Sequence, residues 1–173
     1  MPGYTTIAIE GVLADQGSES SFAASKLLTP GVLVYHGLKN VSKILLVADH
    51  QDREKVEHWL KAHGFRDHVD LIFNPVPEDL VRGREELIPE IRRRGGYDLA
   101  VESEDRYAAR AVAAGVSTLV IAHPAYTRSE FRPDDAQEIQ PWNKVVEELD
   151  RQRDMHSKDD RITADVAGTQ YES

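Results

Sequence analysis

Five short apolar runs punctuate the chain, at residues 4–9, 43–48, 69–73, 97–101 and 117–121. Each is about strand length, rich in Val, Ile and Leu, and not strictly alternating, the pattern of strands covered on both faces. Helical spacing fills most of the gaps. Over 52–63, Val56, Trp59, Leu60 and His63 recur at i, i+3, i+4 and i+7 and share one face. Asp52 and Glu54 fall in the first turn, where the helix dipole favours negative charge, and Gly64 supplies the stop. The pattern returns over 79–94, with Leu80, Leu87, Ile88 and Ile91 as the buried set and Gly95-Gly96 as the end. Pro89 inside that stretch removes one hydrogen bond and predicts a kink or a break. A short alanine-rich helix is expected over 105–114, and a last one over 142–153.

Alternating strands and helices imply βαβ units. The expected fold is therefore a Rossmann-like three-layer α/β sandwich with a mostly parallel five-stranded sheet and helices on both faces. Two regions break the rhythm. Residues 13–38 are long for a plain crossover and carry Gly17, a serine cluster, Pro30 and Gly31, which suggests a flap plus a helix near 21–28. Residues 154–173 are polar with almost no periodic apolar face. The expected organisation is one α/β domain over 1–153 and a polar tail over 154–173, solvent-exposed or ordered by a partner.

Composition narrows the function classes. A chain of 173 residues suits one domain with a sizeable core. Its net charge of −9 disfavours non-specific binding to nucleic acid or to an anionic membrane. The absence of cysteine excludes disulfides, iron–sulfur clusters and thiol catalysis. Its apolar runs are far short of a membrane span, and the N-terminus lacks the layout of a signal peptide, so a cytoplasmic location is expected. Seven histidines invite a zinc reading, but none forms H-E-x-x-H or an i, i+4 pair. No G-x-S-x-G, Walker A or G-x-G-x-x-G sequence is present.

The chemistry, if there is any, belongs at the carboxyl ends of the strands. There the first run delivers Ala8-Ile9-Glu10-Gly11-Val12-Leu13, which is similar to D-x-D-G-[TV]-[LV] at the end of strand one in haloacid dehalogenase-like (HAD) phosphohydrolases. The chain resembles the small, minimally capped members of that superfamily found among phage proteins, over residues 4–150 and including His123–Arg128, Phe131-Arg132-Pro133 and Pro141-Trp142. The resemblance implies a HAD-like fold with a small cap or none. It also assigns roles. Position 8 is the family's aspartyl nucleophile and here is Ala8, whereas Glu10 keeps a carboxylate where the general acid–base stands. Ala48 takes the place of a phosphate-orienting hydroxyl. No lysine lies between Lys61 and Lys144, so Arg82 or Arg84 is the nearest substitute for the family's phosphate-neutralising cation. Glu102-Ser103-Glu104-Asp105 matches the acidic cluster that binds magnesium, giving Glu10, Glu102 and Glu104 as the candidate metal set.

Phosphoryl transfer needs an in-line nucleophile, charge neutralisation and a divalent metal. An alanine methyl forms no covalent intermediate and ligates no metal. Loss of a nucleophile costs on the order of 10⁴–10⁶ in rate where it has been measured in triad enzymes. With Ala8, Ala48 and the missing lysine together, the expected function is a non-catalytic HAD-like (pseudo-phosphatase) domain with a binding, assembly or structural role. The resemblance puts it in a virion or a host cytoplasm. No cofactor is expected, with Mg²⁺ only if activity remains. The alternative is a divergent magnesium-dependent phosphohydrolase acting on a small phosphorylated metabolite or nucleotide. A third reading is a sensor that binds such a metabolite through Arg82 and Arg84. The acidic residues themselves have two readings, a weak metal site or solvated helix caps. A protein partner or self-association is expected, and Tyr126, Arg128, Phe131, Arg132 and Trp142 are the candidate surface. Trp142 has the equal alternative of anchoring the last helix.

Overall fold

Parallel strands cannot be joined by tight turns, so each needs a crossover, and the crossovers here decide the architecture. The computed structural model describes residues 3–15 and 22–123, together with 147, 150–152, 154, 155 and 158. Strands β1 (Tyr4–Ala8), β2 (Lys43–Ala48), β3 (Asp70–Phe73), β4 (Tyr97–Glu102) and β5 (Ser117–Val120) form one all-parallel sheet in the order β3-β2-β1-β4-β5. All five apolar runs become strands, with ends displaced by at most one residue.

The chain steps outward from β1 to β2 and β3, then returns to β4 on the other side of β1. Right-handed crossovers therefore put α1 (Thr29–Leu38) and α2 (Arg53–Ala62) on one face, and α3 (Leu80–Gly95) and α4 (Asp105–Ala113) on the other. Alternate residues of β2 serve the two layers. Ile44 and Leu46 pack with Tyr35, Trp59 and Leu60, whereas Leu45 and Val47 pack with Leu87, Ile88 and Ile91. That two-sided demand is why the strands read as continuous apolar runs.

The helix starts follow capping chemistry. Asp52 accepts from the Lys55 amide (3.2 Å) and Asp79 from the Arg82 amide (3.1 Å). Three expectations need correction. The helix expected near 21–28 is instead a 3-10 turn at Phe22–Ala24, and the true helix, α1, begins at Thr29. Pro30 fits the first turn of α1, where a missing N–H costs nothing, and Gly31 lets the helix approach the backbone after β1. A Cβ at Gly31 would lie 1.9 Å from the Val12 carbonyl oxygen. Of the kink or break expected at Pro89, the break does not occur, because α3 runs through it. Its ring is on the exposed side, and Leu87, Ile88 and Ile91 hold both halves of the helix against the sheet. Leu80, expected in that buried set, is only half-buried.

After β1 the chain makes one helical turn, in which the Leu13 and Ala14 amides both donate to the Ile9 carbonyl at 2.9 Å. Gly11 accommodates this turn at φ 82°. An antiparallel return follows, with Ala14 paired to Leu27 and the Asp15 amide donating to the Lys26 carbonyl (2.9 Å). Residues 16–21, where the flap is expected, lie outside the described residues. Tyr126, Arg128, Phe131, Arg132, Trp142 and most of the 154–173 tail lie outside the described residues. Residues 147, 150–152, 154 and 155 are helical, and the Gln152 side-chain amide donates to the Val112 carbonyl of α4. Among the described residues no helix is long and apolar enough to cross a membrane.

Candidate functional site

The reversal of strand order opens the sheet's carboxyl edge between β1 and β4, where a parallel α/β fold places its ligands. Into this edge β1 delivers Ala8 and then Glu10, β2 delivers Ala48 and then Asp49, β3 ends before Asn74, and β4 ends in Glu102. Ala8 and Ala48 are fully buried.

Glu10 acts as a staple. Its Oε2 accepts from the Asp49 amide (3.0 Å) and its Oε1 from the His50 amide (2.9 Å), which ties the turn after β1 to the turn after β2. Burial pushes its carboxyl pKa up and the nearby Asp49 charge adds to that, against the pull of the two amides.

The centre of the site is Arg84. Gly83 packs so closely that a Cβ there would lie 1.6 Å from Asn74 Oδ1, and this approach carries the next residue of α3 into the interior. Arg84 is 3% exposed. Its Nε donates to Asp49 Oδ1 (3.2 Å) and its Nη2 to Asp49 Oδ2, a two-pronged pair, while Nη1 donates to Glu102 Oε2. Asn74 Nδ2 adds a bond to Asp49 Oδ1 (3.0 Å), and the Asn74 backbone amide donates to the Ala48 carbonyl (2.8 Å). One guanidinium thus bridges strands β2 and β4 across β1.

The charges balance incompletely. Burial pushes the Glu102 carboxyl up to about 7, with Asp49 and Glu104 repelling its negative form and Arg84 pulling the other way. For Arg84, burial opposes the charge, but Glu102 and Asp49 outweigh it and hold its pKa above the ordinary arginine value. Beneath the site a buried hydroxyl chain links Thr6 to Tyr97 (2.6 Å) and Tyr97 to Tyr107 (3.2 Å). Burial, reinforced by Glu102, pushes Tyr97 up to about 12. At the rim, His123 Nε2 donates to the Gly11 carbonyl (2.7 Å) and holds the glycine turn from the β5 side.

Of the residues singled out in the sequence, Glu10, Arg84 and Glu102 converge, and Asp49, which follows Ala48, joins them. Glu104 does not: its side chain accepts from the Arg106 amide (3.3 Å) and caps α4. The expected metal set of Glu10, Glu102 and Glu104 is therefore not assembled. Among the described residues no group of three acidic or histidine side chains is arranged to hold a metal ion. The donor set also misfits magnesium, which wants an open, near-octahedral shell of oxygens. Asp49 and Glu102 are turned onto a guanidinium, and both Glu10 oxygens are taken by amides. Arg82 and Arg84 do not share a ligand site either, because Arg82 is exposed and paired with Glu86 (3.1 Å). Asn74 escapes sequence reasoning. Its only signal is a polar residue at the carboxyl end of an apolar run, followed by a proline.

No family model matches this sequence, and no curated protein does. Solved structures do. A chain of the Pnkp1/Rnl/Hen1 complex superimposes with a TM-score of 0.60 at 16% identity, covering 73% of this chain and 48% of that one. A chain of the Pnkp1/Rnl/Hen1 RNA repair complex gives 0.60 and 16%, covering 72% and 44%. This chain spans less than half the length of either neighbour. At that identity the likeness establishes the Rossmann-like α/β fold and nothing finer.

Proposed function

We propose that this chain is a non-catalytic HAD-like domain with a binding, assembly or structural role. The observation that carries the reading is the Arg84 guanidinium seated between Asp49 and Glu102 at the carboxyl edge of the sheet. A phosphohydrolase of this type needs a nucleophile, a cation free to meet phosphate and carboxylates free to meet metal. Here position 8 is a buried methyl, and the cation and two of the carboxylates are engaged with one another. The HAD-like reading draws further support from the parallel five-stranded sheet and from the tight turn and antiparallel return directly after β1. A role among protein partners is in keeping with structural neighbours that are chains of a multi-protein complex.

The competing reading is a divergent magnesium-dependent phosphohydrolase, favoured by the retained Glu10 carboxylate with its raised pKa. One assay separates the two. Purified protein is incubated with p-nitrophenyl phosphate and millimolar magnesium, beside Glu10→Gln. The expected rate equals the blank for both proteins. Hydrolysis well above the blank that disappears in Glu10→Gln overturns the non-catalytic reading.

A further inference from the structure

Away from the arginine site, a cavity of about 620 Å³ opens along the outer edge of β3, between α2 and the 65–69 loop. Its volume is that of a small-molecule site. Leu60 and Phe65, both 1% exposed, and Leu71, 6% exposed, make an apolar wall. The charges around it are unequal in availability. Both lining acids are already engaged, Glu57 with Arg53 (3.2 Å) and Asp70 with Arg94 (2.8 Å). Lys61 and Arg66 also line the cavity, are exposed, and make no ion pair among the described residues. His68, half-buried in the same wall, has an Nδ1 with no hydrogen-bond partner among the described residues. Burial pushes its pKa down, so at neutral pH the ring offers a polar group without a charge.

Two uncommitted cations beside the apolar wall of a pocket whose remaining lining is polar are unusual on a protein whose net charge is −9. They are the arrangement that receives a negative group attached to an apolar body. An added β-strand is a poorer fit, because the outward Leu71 amide of the edge strand is already bonded to Asp70 Oδ1 (2.9 Å).

We propose that this cavity binds a small aromatic acid, its ring against Leu60, Phe65 and Leu71 and its carboxylate, sulfonate or phosphate between Lys61 and Arg66. This site is independent of the reading of the arginine site. The test is calorimetric titration of the full chain with naphthalene-2-sulfonate, beside uncharged 2-naphthol. Saturable one-to-one binding of the sulfonate is expected, weakened by about tenfold or more in the Lys61→Ala/Arg66→Ala double variant. The charge-preserving exchange Lys61→Arg/Arg66→Lys is expected to bind like the wild type, as is Arg106→Ala, which removes an exposed cation on α4. Naphthol is expected to bind more weakly, with no dependence on Lys61 and Arg66. The proposal is overturned if the wild type shows no saturable sulfonate binding or if the double variant binds it equally well. An equal loss in Arg106→Ala also overturns it, since binding would then follow net charge alone.

Discussion

Arg84→Met is the sharpest probe of the site, because methionine keeps much of the side chain's length and removes only its charge and donors. In the native protein the guanidinium is 3% exposed and faces Glu102, at 1%, and Asp49, at 16%. Removing one partner of a buried pair leaves charge without compensation and costs about 3–5 kcal/mol. For a chain of this size each kcal/mol moves Tm by about 2–4 °C, so a fall of about 10 °C is expected. The loss has a pH signature. Glu102 has a folded pKa of about 7 against 4.5 for the free group, so its contribution is fully present below 4.5 and is lost as pH rises through 7. That shift corresponds to about 3 kcal/mol. Without Arg84 the only strong influence lowering this pKa disappears, and the loss extends to higher pH. Arg84→Met should therefore cost more at pH 8 than at pH 5, and adding Glu102→Gln should return part of it at pH 8. Urea denaturation followed by circular dichroism at both pH values, on wild type, both single variants and the double, measures all of this. A cost below about 1 kcal/mol at pH 8, or an equal cost at both pH values, would refute the argument that a buried guanidinium holds this edge together.

Two further outcomes test the framework. Gly31→Ala drives a methyl into the Val12 carbonyl region of the turn after β1, and overpacking of this kind should cost about 1–3 kcal/mol in urea denaturation. Asp79→Ala removes the side-chain acceptor for the Arg82 amide at the start of α3 and should cost about 1 kcal/mol; Asp79→Asn should recover most of it.

How the sequence maps onto the site differs by residue. Glu10 and Glu102 were recognisable as carboxylates at strand ends, because a buried apolar run that stops at an acidic residue marks a sheet edge. Their partners were not. Glu10 binds backbone amides of the β2 turn, which carry no side-chain signature, and Glu104 differs from Glu102 only in falling two residues later, on a helix start. Arg82 and Arg84 are equal candidates along the chain, but two residues on a helix is about 200° of rotation, so one faces water and the other the interior. Helix α1 leaves no periodic signal in the sequence because it is apolar nearly all round, and a 3.6-residue period is invisible without polar positions to contrast with it.

The sequence by itself determined the strands, three of the four described helices and the parallel architecture, since these follow from local periodicity, caps and glycine stops. It also determined that position 8 has no nucleophile. Only the tertiary structure decided what the acidic and basic groups do to one another. Strand order brought Asp49 and Glu102 to either side of β1, and the close approach at Gly83 set Arg84 between them. Pairing across 35 and 18 residues depends on how the crossovers wind, and no local pattern encodes it.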